Sequence, residues 1–287
     1  MSAWTTARRR LVAAGVDSPV IDARLLVEAA AGATRADMIA EPHRPMTGVQ
    51  ADALEAMVAR REAREPVSHI LGRKGFWKIM LAVGPAVLTP RPETESILDV
   101  VLARFGEDRA FEVLDLGTGA GALLLAILAE RPLASGVGVD ISEEALAVAR
   151  MNVATLGLEG RAVLRAGDWT TGLELGGFDL VVCNPPYIPS ADIERLEPEV
   201  RDHEPRLALD GGPDGLVAYR RLAGEILEVV RPGGFFAVEI GPRQAQGVTQ
   251  LFRQAGAVDL AVDKDLAGRD RVVSGAKQTL GEWETNG

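Results

Sequence analysis

Val113-Leu114-Asp115-Leu116-Gly117-Thr118-Gly119-Ala120-Gly121, continuing into Ala122-Leu123-Leu124-Leu125, is the stretch that decides the fold. A short apolar run of the kind found in buried parallel strands ends in a glycine-rich turn, and the turn opens a helix. Glycine lets backbone come close to a ligand, and unpaired N–H groups at a helix start can face a negative group, so a nucleotide-like cofactor is implied. The spacing Gly-x-Gly-x-Gly departs from the dinucleotide fingerprint Gly-x-Gly-x-x-Gly. Asp115, just ahead of the first glycine pair, would sit badly beside a pyrophosphate and suits a cofactor bearing an ammonium group. Taken in isolation, the motif is also compatible with a turn that serves packing alone.

Working outward, apolar runs at 111–116, 136–139, 162–164, 178–183 and 235–240 have the length of buried parallel strands, with helical stretches between several of them. This predicts an α/β fold with a Rossmann-like, doubly wound sheet. Residues 258–262 and 271–274 are joined by a segment too short for a crossover helix, which predicts an antiparallel pair at one edge. Residues 1–72 read instead as a small helical domain. Ser18-Pro19 is a helix start and Gly32 its stop, with Ile21, Leu25, Leu26 and Ala29 between them; Thr47 is the expected cap of a second helix striped by Val49, Leu54, Met57 and Val58. Arg60, Arg61, Glu62 and Arg64 are expected on its solvated face. Between the two, residues 73–90 are expected to form a β-hairpin linker, with strands at 76–83 and 86–88 around Gly84-Pro85. The second domain then covers 91–287.

Composition excludes several classes. No run of eighteen apolar residues is present, and the amino terminus has no apolar stretch with a small-residue cleavage site, so neither a membrane span nor a secretory signal is expected. Cys183 is the only cysteine, and His43, His69 and His203 are scattered, which leaves no multi-cysteine metal site and suits a reducing cytoplasm. Net charge is −10. Residues 1–85 hold 12 basic and 9 acidic side chains and the remainder 19 and 32, so the chain lacks the basic surface on which stable nucleic-acid binding rests.

Four further places carry chemistry. Asp140 closes a strand beside the first turn, where its carboxylate can accept from both hydroxyls of a ribose; Asp140-Ile141-Ser142-Glu143-Glu144 also reads as a helix cap. Asp168 can accept from an adenine amino group and Trp169 can cover its face, or the pair is surface structure. Asn184-Pro185-Pro186-Tyr187 follows the strand at 178–183. Two prolines stiffen that loop, so Asn184 Oδ1 and the Pro185 carbonyl can each take one hydrogen of a planar NH₂ group while Tyr187 packs against its plane. Cys183, next to Asn184, reads as a buried strand thiol.

With these motifs together, the chain resembles S-adenosylmethionine-dependent amino-group methyltransferases. Leu88-Thr89-Pro90-Arg91-Pro92-Glu93-Thr94-Glu95 after Gly75-Phe76-Trp77, the segment 204–216, Arg231-Pro232-Gly233-Gly234, Glu239-Ile240-Gly241 and residues 265–271 narrow the resemblance to the HemK/PrmC family, the glutamine methyltransferases of peptide chain release factors. The resemblance implies that Gly117, Thr118, Gly119, Ala120 and Gly121 cradle S-adenosylmethionine, with Asp115 beside them. It implies that Asp140 holds the ribose, that Trp169 flanks the adenine, beside the Asp168 acceptor read above, and that Asn184 stands between cofactor and substrate. Asn184, Pro185 and Tyr187 would carry catalysis, and with Pro186 they would form the substrate pocket. The products would be a methylated glutamine of a Gly-Gly-Gln loop and S-adenosylhomocysteine. A glutamine of a ribosomal protein is a close alternative. A nucleic-acid adenine or cytosine amino-methyltransferase uses the same acceptor logic on a flipped base, against the charge balance. A cofactor-binding adaptor without activity would have no use for an intact Asn-Pro-Pro-Tyr loop.

Overall fold

The helical part is built by local signals. The structure, a computed structural model, describes residues 3–41 and 44–279, and His43 lies outside them. The chain divides into two units, Met1–Arg73 with Leu196–Glu204, and Lys74–Arg195 with Pro205–Gly287. The first contains α1 (Ala3–Ala13), α2 (Pro19–Ala31), α3 (Arg35–Ala40), α4 (Gly48–Glu62), α5 (Val67–Leu71) and the short α9 (Pro198–Arg201). Helix α2 starts with Pro19, whose missing N–H is no loss at that position, and stops at Gly32, which takes the left-handed conformation at φ 61°. Thr34 with Asp37, and Thr47 with Gln50, form reciprocal capping boxes at the starts of α3 and α4. Leu11, Leu26, Val27, Leu54, Val58 and Ile70 make the core of this unit.

Three expectations for these helices are corrected. Ile21 and Val49 lie 53% and 81% exposed, because α2 packs through Ala23, Leu26 and Val27 and α4 through Leu54 and Val58. Arg61 is 5% exposed rather than solvated. It falls on the face of Leu54 and Val58 by helical spacing, and its guanidinium meets Asp22 at 2.7 Å and Glu199 of α9 at 2.8 Å. Arg64 forks onto the same Glu199 at 2.7 and 2.6 Å, and Arg60 pairs with Glu65. Charge type suggested a wet face; the buried network shows that the segment Leu196–Glu204 is held to this unit by ion pairs.

The second unit carries a seven-stranded sheet. Its strands are β3 (Glu112–Leu116), β4 (Ser135–Asp140), β5 (Ala162–Ala166), β6 (Phe178–Cys183), β7 (Val230–Glu239), β8 (Ala257–Lys264) and β9 (Asp270–Lys277), in the order β5-β4-β3-β6-β7-β9-β8. All pairings from β5 to β7 are parallel, and β9 runs antiparallel to both β7 and β8, as the short connection required. Helices α6 (Glu95–Arg104), α7 (Ala122–Glu130), α8 (Glu143–Leu156), α10 (Val217–Val229) and α11 (Ala245–Gln254) complete the unit. Two core clusters form. Val113 belongs to the one with Ile97, Phe105 and Leu124, and its neighbour Leu114 to the other, with Val181, Tyr219 and Phe236. Both faces of β3 are therefore buried, and Val113, Leu114 and Leu116 are apolar, with Asp115 the buried exception. The strand order reverses between β3 and β6, and their pairing sets Leu116 opposite Cys183. The turn after each strand thus opens at the same place, the crevice where doubly wound sheets bind ligands.

The hairpin is real but displaced. Its strands are β1 (Arg73–Phe76) and β2 (Ile79–Ala82), and the turn is Trp77-Lys78, with Trp77 at φ 51°. A two-residue hairpin turn calls for positive φ, and here a tryptophan supplies it, which the residue type does not advertise. Gly84-Pro85 begins a separate turn, and Val83 and Val87 pack with Ala120 and Ala145.

Candidate active site

At the end of β3 the three glycines of the turn have φ of 71°, 55° and 84°, values that L side chains rarely adopt. A Cβ added to Gly119 would meet nothing within 4 Å, so that position is open. Asp115 is 1% exposed, and its Oδ2 accepts from the Thr118 hydroxyl at 2.6 Å and from the Leu124 N–H at 3.3 Å. Burial pushes its pKa up to about 6 against the pull of those two donors. Asp140, at the end of β4, accepts from the Gly119 N–H at 2.9 Å through Oδ2 and from the Ser142 N–H at 2.9 Å through Oδ1. The cap of α8 is Ser142, which accepts from Ala145 N–H. Asp140 is therefore both a brace of the glycine turn and a wall of the cavity.

That cavity encloses about 270 Å³ and is lined by Gly117, Gly119, Asp140, Trp169, Asn184 and Leu88, among others. Trp169 lies across the first glycine, its ring 3.4 Å from where a Gly117 Cβ would stand. Asp168 lines the cavity as well, but both its carboxylate oxygens are occupied by Arg221 Nη1, at 2.9 and 2.8 Å. An acceptor role toward an adenine has to share that carboxylate with the guanidinium.

Beyond β6, Asn184 and Pro186 line the cavity, Pro185 is buried, and Tyr187 packs against the core beneath. The Asn184 amide nitrogen donates to Thr94 Oγ1 at 3.2 Å, which leaves Oδ1 as the end not engaged by Thr94. The Tyr187 hydroxyl donates to Glu239 Oε1 at 3.1 Å. Burial and the adjoining Glu239 carboxylate push the Tyr187 phenol well above its ordinary range. The loop is braced from behind by the segment the sequence had marked at 204–216. Gln244 Nε2 donates to the carbonyls of Tyr187 and Gly215 at 2.9 and 3.1 Å, and Ile188 bridges to Asp210. A Cβ on Gly215 would lie 2.3 Å from the Tyr187 carbonyl oxygen. Cys183 is fully buried, and burial raises its thiol pKa far above the ordinary value, so it is no nucleophile.

Three residues of this site were missed in the sequence. Asn152 of α8 is 2% exposed; it accepts from Ala82 N–H at 2.7 Å and donates to the carbonyl of Ala120 at 2.8 Å, tying the hairpin to the glycine turn. Nothing local distinguishes it from a surface asparagine on an amphipathic helix. Thr94 and Glu239 sit inside segments quoted above, where only their motif, not their task, was readable. His69 and His203 belong to the helical unit. Among the described residues no cluster could hold a metal ion, and no helix is long and apolar enough to cross a membrane.

A family model described as a methyltransferase domain matches residues 107–267, and one described as the PrmC N-terminal domain matches residues 2–72. The fold is similar to that of a crystal structure of a methyltransferase from Pyrococcus furiosus, with a TM-score of 0.52 at 16% identity, covering 78% of this chain and 98% of that one. Glycine turn, switch-point cavity and sheet order thus define a methyltransferase of the S-adenosylmethionine-dependent class. A protein of Caulobacter vibrioides named release factor glutamine methyltransferase is 61% identical over 98% of this chain and 97% of its own length. A protein of the same name from Rhodospirillum rubrum is 47% identical over 95% and 83%. The chain belongs to the HemK/PrmC family.

Proposed function

We propose that the chain transfers the sulfonium methyl of S-adenosylmethionine to the side-chain amide nitrogen of glutamine in the Gly-Gly-Gln motif of peptide chain release factors, in the cytoplasm. One observation carries the reading. Asn184 has its NH₂ turned away to Thr94, beside the glycine turn, so the remaining oxygen suits an NH₂-bearing substrate. Relatives that match 98% and 95% of this chain bear the name of that activity.

The cavity residues fit the cofactor. Asp115 is a buried carboxylate on the cavity lining, its pKa raised by burial, and the cofactor's ammonium group would give it a counter-charge. Asp140 would take the ribose hydroxyls, Trp169 would cover the purine, and residues 117–121 would lie along the remainder. When bound, S-adenosylmethionine supplies an electrophilic methyl group and is left as S-adenosylhomocysteine.

The chain's own residues have to overcome a weak nucleophile, since the amide lone pair is delocalised into its carbonyl. Asn184 Oδ1 and the Pro185 carbonyl would accept the two amide hydrogens, fixing the nitrogen and favouring the geometry in which its lone pair faces the methyl. Tyr187, held through its hydroxyl by Glu239, would stiffen the wall behind. The nitrogen's proton becomes acidic only after transfer, so no strong base is needed beforehand. The net charge of −10 disfavours a nucleic-acid substrate. The deciding experiment supplies labelled S-adenosylmethionine with unmethylated release factor, ribosomal proteins or DNA, and locates the label by mass spectrometry. Label on the Gly-Gly-Gln glutamine supports the reading, and label on any other residue type or on DNA overturns it.

A further inference from the structure

We propose that Arg221 and Glu225 are positioning residues, which from one face of α10 clamp both neighbours of Trp169 and so keep its indole ring laid over the glycine turn. The inference rests on the covering role given to Trp169 above and assigns what holds that cover in place. Trp169 follows β5 in a tight turn, in which the Thr171 N–H donates to the Asp168 carbonyl at 3.2 Å. It occupies the second position of that turn with a φ of 53°. Positive φ there is ordinarily left to glycine, asparagine or aspartate, and a bulky aromatic residue keeps it only where its surroundings impose it. The ring packs against the core cluster of Val181, Tyr219 and Phe236 and lines the cavity.

The imposing contacts come from α10, where Arg221 and Glu225 stand one turn apart on the same face. Arg221 Nη1 donates to both carboxylate oxygens of Asp168, at 2.9 and 2.8 Å, and Nη2 donates to the Asp168 carbonyl at 3.3 Å. Arg221 Nε donates to Glu225 Oε1, and Glu225 Oε2 accepts from the Thr170 hydroxyl at 2.8 Å. Asp168 and Thr170 are thus tied to one helix through one linked network, with Trp169 between them. That helix is a firm support. Leu222 and Ile226 are fully buried, and the Tyr219 hydroxyl donates to the Glu239 carbonyl at 2.7 Å. The Arg221 and Asp168 side chains are 40% and 50% exposed, and ion pairs so exposed add little to global stability. Their worth lies in where they hold the turn.

The test uses the full chain, with S-adenosylhomocysteine as the probe and calorimetry to measure its Kd. The variants are Arg221→Met, Thr170→Val, Thr170→Ser, Trp169→Ala, and Arg221→Met combined with Trp169→Ala. Arg221→Met and Thr170→Val are each expected to raise the Kd at least about fivefold, while Thr170→Ser, which keeps the hydroxyl, stays within about twofold of wild type. The unfolding midpoint of each is expected to move by less than about 3 °C, so the loss is one of placement and not of folding. With the ring already removed by Trp169→Ala, Arg221→Met is expected to add less than about twofold, because it acts through that ring. Fluorescence gives a second readout. The part of the emission change on binding that Trp169→Phe abolishes is expected to shrink in Arg221→Met at saturating S-adenosylhomocysteine. An Arg221→Met Kd that is unchanged, or tightened because Asp168 is freed, would overturn the proposal. So would a full loss in the Trp169→Ala background, Thr170→Ser as poor as Thr170→Val, or an emission change of wild-type size. Should Arg221→Met not fold, the contrast between the two Thr170 variants decides alone. If Trp169→Ala binds as wild type does, the covering role fails and this inference with it; if Trp169→Ala weakens binding and Arg221→Met does not, this inference fails by itself.

Discussion

The Gly119 amide donates to Asp140 Oδ2 at 2.9 Å, so the carboxylate at the end of the second sheet strand holds the glycine turn at the end of the first. The brace and the expected ribose contact are the same side chain. Replacing Asp140 by alanine therefore removes two things, a ligand group and the fixation of an open glycine. Cofactor affinity is expected to fall by roughly 1–3 kcal/mol, or about fivefold to 150-fold, with kcat at saturating cofactor much less affected. Calorimetric titration checks this, and an unchanged Kd would reduce Asp140 to a purely structural role.

Asn184→Ala is expected to show the opposite pattern. It removes an acceptor that orients substrate, so single-turnover methylation should nearly vanish while cofactor affinity stays within about tenfold. Rapid-quench measurement on release factor, paired with a binding titration, separates the two. Turnover at the wild-type rate is the result that this role could not survive.

Asp115 links pH to both stability and binding. Its folded pKa of about 6 lies above the ordinary 3.8, so the stability it contributes is present below 3.8 and lost as pH rises through 6. In the unliganded protein the ionised carboxylate is thus a cost at neutral pH. Asp115→Asn is expected to raise unliganded stability near pH 7.5 by on the order of 2 kcal/mol and to flatten its pH dependence between about 4 and 6. The same substitution should weaken cofactor binding, and wild-type affinity should decline below about pH 6 as the carboxylate gains its proton. Urea unfolding at several pH values is the check. A variant less stable than wild type at pH 7.5 would contradict the account.

Gly215 combines a positive φ of 74° with a Cβ position 2.3 Å from the Tyr187 carbonyl oxygen. Gly215→Ala cannot be accommodated without moving the loop that carries Asn184. A loss of about 1–3 kcal/mol in stability is expected, with a fall in kcat of at least about tenfold and little change in cofactor Kd. Thermal unfolding together with steady-state kinetics tests it, and wild-type kcat would show the brace to be dispensable.

In the helical unit, Arg61 neutralises Asp22 and Glu199. Burial alone would raise the Glu199 pKa, but the bonds from Arg64 and Arg61 outweigh it and hold the pKa below the ordinary carboxylate value. That contribution is therefore present above the unfolded pKa and lost as pH falls. Arg61→Met leaves the buried Asp22 carboxylate without this cation, while Glu199 keeps Arg64, and is expected to cost about 3 kcal/mol. Differential scanning calorimetry at neutral pH measures it, and a transition within a degree of wild type would show that the network carries no net stability.

The sequence by itself determined what depends on neighbours along the chain. The glycine spacing, with its three positive φ values, could be read because each requirement is met within one turn. The parallel strands could be read because burial on both faces leaves no polar alternation, and the cap at Thr47 closes within three residues. The Asn184-Pro185-Pro186-Tyr187 loop was legible because proline acts on its own backbone. Tertiary structure decided the rest. Trp77, not Gly84-Pro85, makes the hairpin turn, since packing can force positive φ on a residue that does not prefer it. Arg61 is buried because its partner Glu199 lies 138 residues away, a distance no local pattern spans. Which end of Asn184 faces the cavity follows from Thr94, 90 residues earlier. A hydrogen bond has direction, and that direction is set by whatever the fold brings to its far end.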